Sequence, residues 1–206
     1  MKIKYYALWL SLVCIIVFIF QLAFPGFTDL FVLNSSLPYE IWRFISSIFL
    51  HGSLSHIISN LFALALFGTV LESIIGSRRF LIVFFVSGII ANLIAINFYP
   101  LSLGVSGAIY GILGALIILR PMMVVWVYSL PMPMFIAGIV WVGVGVLGLF
   151  APSGVGDIAH LSGIAIGFIF GIYYRTKISK YLGNIKRNKI IIDENSVRRW
   201  EDIYVK

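Results

Sequence analysis

Acyl transfer needs at minimum a hydroxyl nucleophile and a base. An imidazole can take the hydroxyl proton as the oxygen attacks and return it to the leaving amine. The sequence contains three histidines, His51, His56 and His160, and a serine in a small-residue setting, Gly104-Val-Ser106-Gly107. Glycines around a serine let a substrate backbone come close. Glycine and serine are also common where membrane helices pack, so this short motif alone assigns no nucleophile. His56 and Asn60 are spaced i, i+4 and share one helix face, from which both side chains can donate to a developing oxyanion.

The elements that must carry these residues are apolar. Of 206 residues, 61% are hydrophobic and 11% charged, and the mean hydropathy is +1.04. A soluble domain carries about 25% charged residues, so this composition excludes a water-soluble fold and predicts an all-α integral membrane protein. Apolar runs of about 16 to 22 residues match a hydrocarbon core about 30 Å thick. They predict helices over residues 6–24, 54–74, 80–98, 105–119, 132–150 and 158–174. The first run follows Lys2 and Lys4 as a secretory signal would, but it is long for one and lacks a small-x-small cleavage site, so it is read as a mature helix. Residues 122–130 are apolar but too short to cross, and are expected to form an interfacial or re-entrant piece. Cys14 is the only cysteine, which excludes an intrachain disulfide.

Basic residues orient the bundle, because Lys and Arg collect on the cytoplasmic side. Lys2 and Lys4 precede the first helix, Arg78 and Arg79 join the second and third, Arg120 follows the fourth, and Arg175, Lys177 and Lys180 follow the sixth. Arg43 alone falls on the other side. Six spans with both termini in the cytoplasm are then self-consistent, and the net charge of +7 belongs beside anionic lipid rather than nucleic acid.

With this orientation the second, fourth and sixth helices all run inward, and His56, Asn60, Ser106 and His160 lie near their outer ends at one depth. Such groups are costly in a membrane unless they face a cavity and find partners, so their convergence predicts a site. A metal site does not fit the spacing. No H-E-x-x-H occurs, and no carboxylate lies in the outer half of the helix carrying His56. Gly107, Gly111 and Gly114 on the fourth helix and Gly163, Gly167 and Gly171 on the sixth predict a close helix–helix contact. That contact would bring Ser106 beside His160, with Tyr110 one turn below to hold the imidazole. Val at Gly163 is expected to disturb the site, and Val at Gly148 on the fifth helix to matter less.

The chain resembles the rhomboid family of intramembrane serine proteases, of the simple six-helix kind. The resemblance runs from about Trp42 to Gly171. It rests on Trp42-Arg43, the run HGSLSHIISN with His51, His56 and Asn60, LESIIGS with Glu72 and Gly76, GVSGAIYG around Ser106, and AHLSGIAIG around His160. It implies a six-transmembrane-helix bundle and a Ser106–His160 dyad with no acidic third member. It further implies an oxyanion site made by His56, Asn60 and the Ser106 N–H. Trp42 and Arg43 match a structural first-loop motif, and His51 a loop-anchoring histidine. The substrates implied are membrane proteins with a single span, cut near its outer end after small residues. No cofactor or metal is implied.

Asp157, three residues before His160, is expected to cap a helix rather than complete a triad. Glu72 is expected to be structural, because it lies toward the opposite side from Ser106. Residues 1–175 are read as the membrane domain and 176–206 as a basic cytosolic tail, touching lipid heads through Ile190, Ile191, Ile192 and Trp200. The tail is too short for a core of its own. Two other classes stay open, a non-catalytic relative that binds membrane proteins and a channel or transporter. The first would lack the serine or the histidine. The second would need polar groups along a whole path, whereas here they gather at one level.

Overall fold

A computed structural model describes residues 3–127, 129–150 and 156–187, with side chains as far as residue 177. The chain divides into two compact units, Met1–Tyr174 and Arg175–Lys206. The lipid contacts expected of Ile190, Ile191, Ile192 and Trp200 fall outside the described residues.

Helix α1, Tyr6–Ala23, is followed by a folded connection. That connection holds α2 (Phe27–Phe31), the short strand β1 (Leu33–Asn34), α3 (Arg43–Ser46) and a 3₁₀ turn at Ser47–Phe49. Next come α4 (Leu54–Ala63) and α5 (Thr69–Ile75), joined through a π-helical turn at Leu64–Gly68 into one rod from Leu54 to Ile75. Ser53 caps this rod, its Oγ accepting the His56 N–H at 3.2 Å. Helix α6, Ser77–Ala95, leads to β2 (Leu101–Ser102), which pairs antiparallel with β1. Helix α7, Ser106–Leu119, is followed by a hairpin of β3 (Val124–Val127) and β4 (Leu130–Pro133), and then by α8, Met134–Phe150. Helix α9 is Asp157–Arg187.

Among the described residues, four helical stretches are long and apolar enough to cross a membrane: 6–23, 54–75, 77–95 and 157–177. Helices α7 and α8 are apolar but shorter, at 14 and 17 residues. At about 1.5 Å per residue α7 rises about 21 Å, less than the hydrocarbon thickness. The apolar piece expected near residues 122–130 is the β3–β4 hairpin. The last helix runs past the expected end at Tyr174, because residues 175–187 contain no proline and one glycine, Gly183. The chain is a multi-pass, mainly helical membrane protein.

Helix α7 is the central element, with every residue from Gly107 to Ile117 except Tyr110 buried. Its glycines make this possible. A Cβ at Gly163 would collide with the Gly107 carbonyl, and one at Gly167 with the Gly111 carbonyl, so α7 and α9 touch backbone to backbone. Glu72, fully buried, ties the far end together. It accepts the Ser77 Oγ–H at 2.6 Å and the Ala7 N–H at 3.1 Å, satisfying an orphan donor at the start of α1. This is the structural part expected of it.

Candidate active site

Ser106 is the first residue of α7, so its backbone N–H belongs to the free donors of a helix start. Gly104 precedes it at φ +120°, a conformation that side chains rarely adopt, and its N–H donates to the Ser47 carbonyl at 2.9 Å. A Cβ at Gly104 would lie 2.9 Å from the His56 ring. Glycine is therefore required there twice, for backbone shape and for room.

The α7–α9 contact brings His160 Nε2 to 2.9 Å from Ser106 Oγ, a hydrogen bond across 54 residues of sequence. Tyr110 stacks on the His160 ring, with centroids 4.1 Å apart and planes 9° from parallel. This fixes the imidazole plane. Gly107 and Gly163 are the nearest backbone contact beneath the pair, and Gly167 extends it by one turn.

A cavity of about 860 Å³ opens over these groups, lined by Ser106, His160, His56, Asn60, Gly104 and Tyr110 among others. Asn60 is buried, and its Nδ2 has no hydrogen-bond partner among the described residues. A buried amide donor left open is costly, about 1–3 kcal/mol, unless something else accepts from it. His51 does not line the cavity. It is buried edge-on against His56, with centroids 5.1 Å apart. Burial first, and the neighbouring His56 second, hold the His51 imidazole down at about 4, so it is neutral at physiological pH.

Asp157 is the first residue of α9 rather than the residue before it, and its carboxylate lies against Gly148. Among the described residues it makes no hydrogen bond to His160. It acts as an acid in the first helical turn, where the helix dipole favours negative charge. Val at Gly148, expected to matter less than Val at Gly163, would meet the end of a side chain there rather than backbone. A Cβ at that position would strike Asp157, three residues before His160.

Residues 38–177, about two thirds of the chain, match the family model described as the Rhomboid domain. The chain belongs to the rhomboid family. This rhomboid is 29% identical over 170 residues to the Rhomboid protease GlpG of Haemophilus influenzae, covering 79% of this chain and 86% of that one. It is 32% identical over 135 residues to RHOMBOID-like protein 4 of Arabidopsis thaliana, covering 64% and 34% respectively. With the Rhomboid protease GluP of Bacillus subtilis the identity is 34% over 134 residues, covering 63% and 25%. The matched region therefore spans about a third and a quarter of those last two relatives.

Asn92, Ser47, Gln21 and Tyr99, which help shape the rhomboid site, were not singled out in the sequence, whereas Arg43 was, as part of the first-loop motif. Asn92 on α6 donates to the Phe44 carbonyl at 2.9 Å and to Ser47 Oγ at 3.0 Å, and Ser47 in turn accepts from Gly104. The first loop, α6 and the Ser106 turn are thereby tied together. Gln21 brackets the His51 backbone, its Oε1 accepting from His51 N at 2.9 Å and its Nε2 donating to His51 O at 3.2 Å. Arg43 is buried, paired with Glu40, and donates to the Asp29 and Val32 carbonyls at 2.6 and 2.8 Å. Tyr99 Oη accepts the Ile158 N–H at 3.2 Å, steadying the turn before His160. Asn92 had a signal. It is a strongly polar residue near the end of a membrane helix, the same kind of position that singled out Asn60.

Proposed function

We propose that this rhomboid is an intramembrane serine endopeptidase that hydrolyses peptide bonds in or near the transmembrane segments of other membrane proteins. The observation that carries the reading is the 2.9 Å hydrogen bond between Ser106 Oγ and His160 Nε2 at the wall of a polar cavity. Ser106 Oγ attacks the scissile carbonyl while His160 takes its proton. His160 then protonates the leaving amine, and water repeats the sequence on the acyl-enzyme. Tyr110 holds the imidazole by stacking, which is the positioning that an acidic third member would otherwise supply. His56, Asn60 and the Ser106 N–H surround the oxygen that becomes negative, and the open Nδ2 of Asn60 is the donor best suited to it. Gly104, Gly107, Gly163 and Gly167 support the site by close backbone approach. The relatives named as rhomboid proteases support this reading.

The chain is proposed to span the cell membrane six times, with α7 and α8 as the short spans and both termini in the cytoplasm. Reporter fusions after Arg79, Arg120 and Lys180 should then report cytoplasm. An outside report at Arg120 overturns the orientation, because α7 would run the other way.

The primary test of the chemistry is a serine-reactive fluorophosphonate on the purified protein. Labelling is expected at Ser106, and a protein that is folded yet unlabelled would favour a non-catalytic membrane-protein-binding role. Asn60→Ala and His56→Ala should lower turnover about 10- to 1000-fold with substrate binding far less affected, and should slow labelling without abolishing it. Unchanged turnover in both single variants and the double removes them from the site.

A further inference from the structure

The β3–β4 hairpin lies outside everything described for catalysis. Val125 and Val127 are buried at 6% and 5% exposure and join the core, while Val124 and Trp126 between them are 63% and 72% exposed. Trp126 pairs with Pro131 and Val124 with Pro133, so the outward face of both strands is wholly apolar. Met122, 71% exposed, extends it toward α7.

The hairpin is rigidly placed. Met134 N–H donates to the Met123 carbonyl at 2.8 Å, and Phe135 N–H to the Pro121 carbonyl at 3.1 Å, joining its base to the first turn of α8. The Met134–Met123 bond also fixes the ladder's parity. Residues 132 and 130 face β3 with their N–H groups, and residues 131 and 133 face away. Both outward-facing positions are proline, so the open edge of β4 has no N–H at these positions to leave unpaired. Such an edge cannot take up another strand by donating to it, but it can lie in a medium that offers few acceptors.

The short span of α7 sets the depth. A helix rising about 21 Å from a start below one surface ends near the far edge of a core about 30 Å thick. The hairpin that follows therefore sits at the level of the opposite leaflet rather than out in water. Val124 and Trp126 on the β3 edge still carry N–H groups, which keeps the hairpin at the headgroup boundary where oxygens can reach them. Tryptophan favours that same boundary. No Asp or Glu occurs between Glu72 and Asp157, so the chain has no carboxylate here to repel lipid phosphates, and Arg120 stands at the hairpin's base.

From these observations we infer that the β3–β4 hairpin is a lipid-binding anchor, seated by Trp126, Val124 and Met122 in the interface of the leaflet opposite Ser106. It fixes the start of α8 in the membrane. The inference is independent of the proposed catalysis.

The test uses the full chain in liposomes with Trp126 as the sole tryptophan, Trp9, Trp42, Trp141 and Trp200 being replaced by Phe. The expected result is blue-shifted emission, quenched by phospholipids brominated near the headgroup and little affected by iodide in solution. Water-like emission quenched by iodide overturns the inference. So does emission protected from both quenchers that varies with the protein-to-lipid ratio, because a second copy would then cover the face. If the fourfold variant does not fold, the wild-type chain is compared with Trp126→Phe. Loss of part of the lipid quenching supports the anchor, and identical lipid quenching in both proteins overturns it.

Discussion

Ser106→Ala and His160→Ala are each expected to bring cleavage of a single-span reporter substrate to background while the protein stays folded. The two residues share one hydrogen bond and divide one task between them. Removing the hydroxyl leaves nothing to acylate, and removing the imidazole leaves a serine that cannot lose its proton. Losses in such a unit do not add, so the double variant should be no worse than either single one. Neither change should greatly affect the fold. Ser106 loses one oxygen at a cavity wall, and in His160→Ala the Tyr110 ring loses its stacking partner at the edge of the same cavity. Melting temperatures taken alongside the rates separate lost chemistry from lost structure. Undiminished cleavage by folded Ser106→Ala would falsify the assignment of the nucleophile.

The second large effect requires no change to a reacting atom. In Gly163→Val the new Cβ would fall on the Gly107 carbonyl, 3.2 Å from its carbon and 3.3 Å from the Gly111 nitrogen. These are backbone atoms and cannot rotate aside, so α7 and α9 must part. Overpacking of this kind costs about 1–3 kcal/mol, and a shift of about 1 Å at the reacting groups can cost about 100-fold in rate. Both melting temperature and cleavage rate should fall, and Gly163→Ala should do the same more mildly. Gly143 on α8 is the proper control, since a Cβ there meets nothing within 4 Å. Gly148 is not, because of its contact with Asp157. Full activity and stability in Gly163→Val, with losses in Gly143→Val, would show that this contact does not hold the site.

The parts of the site that were legible in sequence share one property. Ser106, His160, His56 and Asn60 are polar residues near the ends of long apolar runs, where their presence is too costly to be casual. The glycine spacing on α7 and α9 was legible for a related reason, since small residues every four positions leave room on one helix face. Other features had no such signature. Strand β3 is written Val-Val-Trp-Val, apolar at every position, so its alternation of buried and exposed residues is set by the neighbouring core and not by residue type. The Gln21 side-chain amide acts on the main chain of His51, and Ser47 meets the Gly104 N–H through its carbonyl. Main-chain atoms are carried by every residue, so the sequence does not name these partners. The Asp157–Gly148 contact joins two helix ends whose approach depends on the whole bundle.

The π-helical turn at Leu64–Gly68 has a geometric consequence for the rod that contains it. An α-helix turns about 100° per residue, so twelve regular steps from Asn60 to Glu72 would set these side chains about 120° apart. A π turn takes up one extra residue, and the same interval then behaves as eleven steps, about 20° apart. The turn is thus a phase shifter, letting one rod aim an amide at the cavity near one end and a carboxylate at the start of α1 near the other. Its content is length rather than side-chain identity. Deleting any single residue from 64 to 68 should rotate one end out of register with its partners, even where substitution at the same position is harmless.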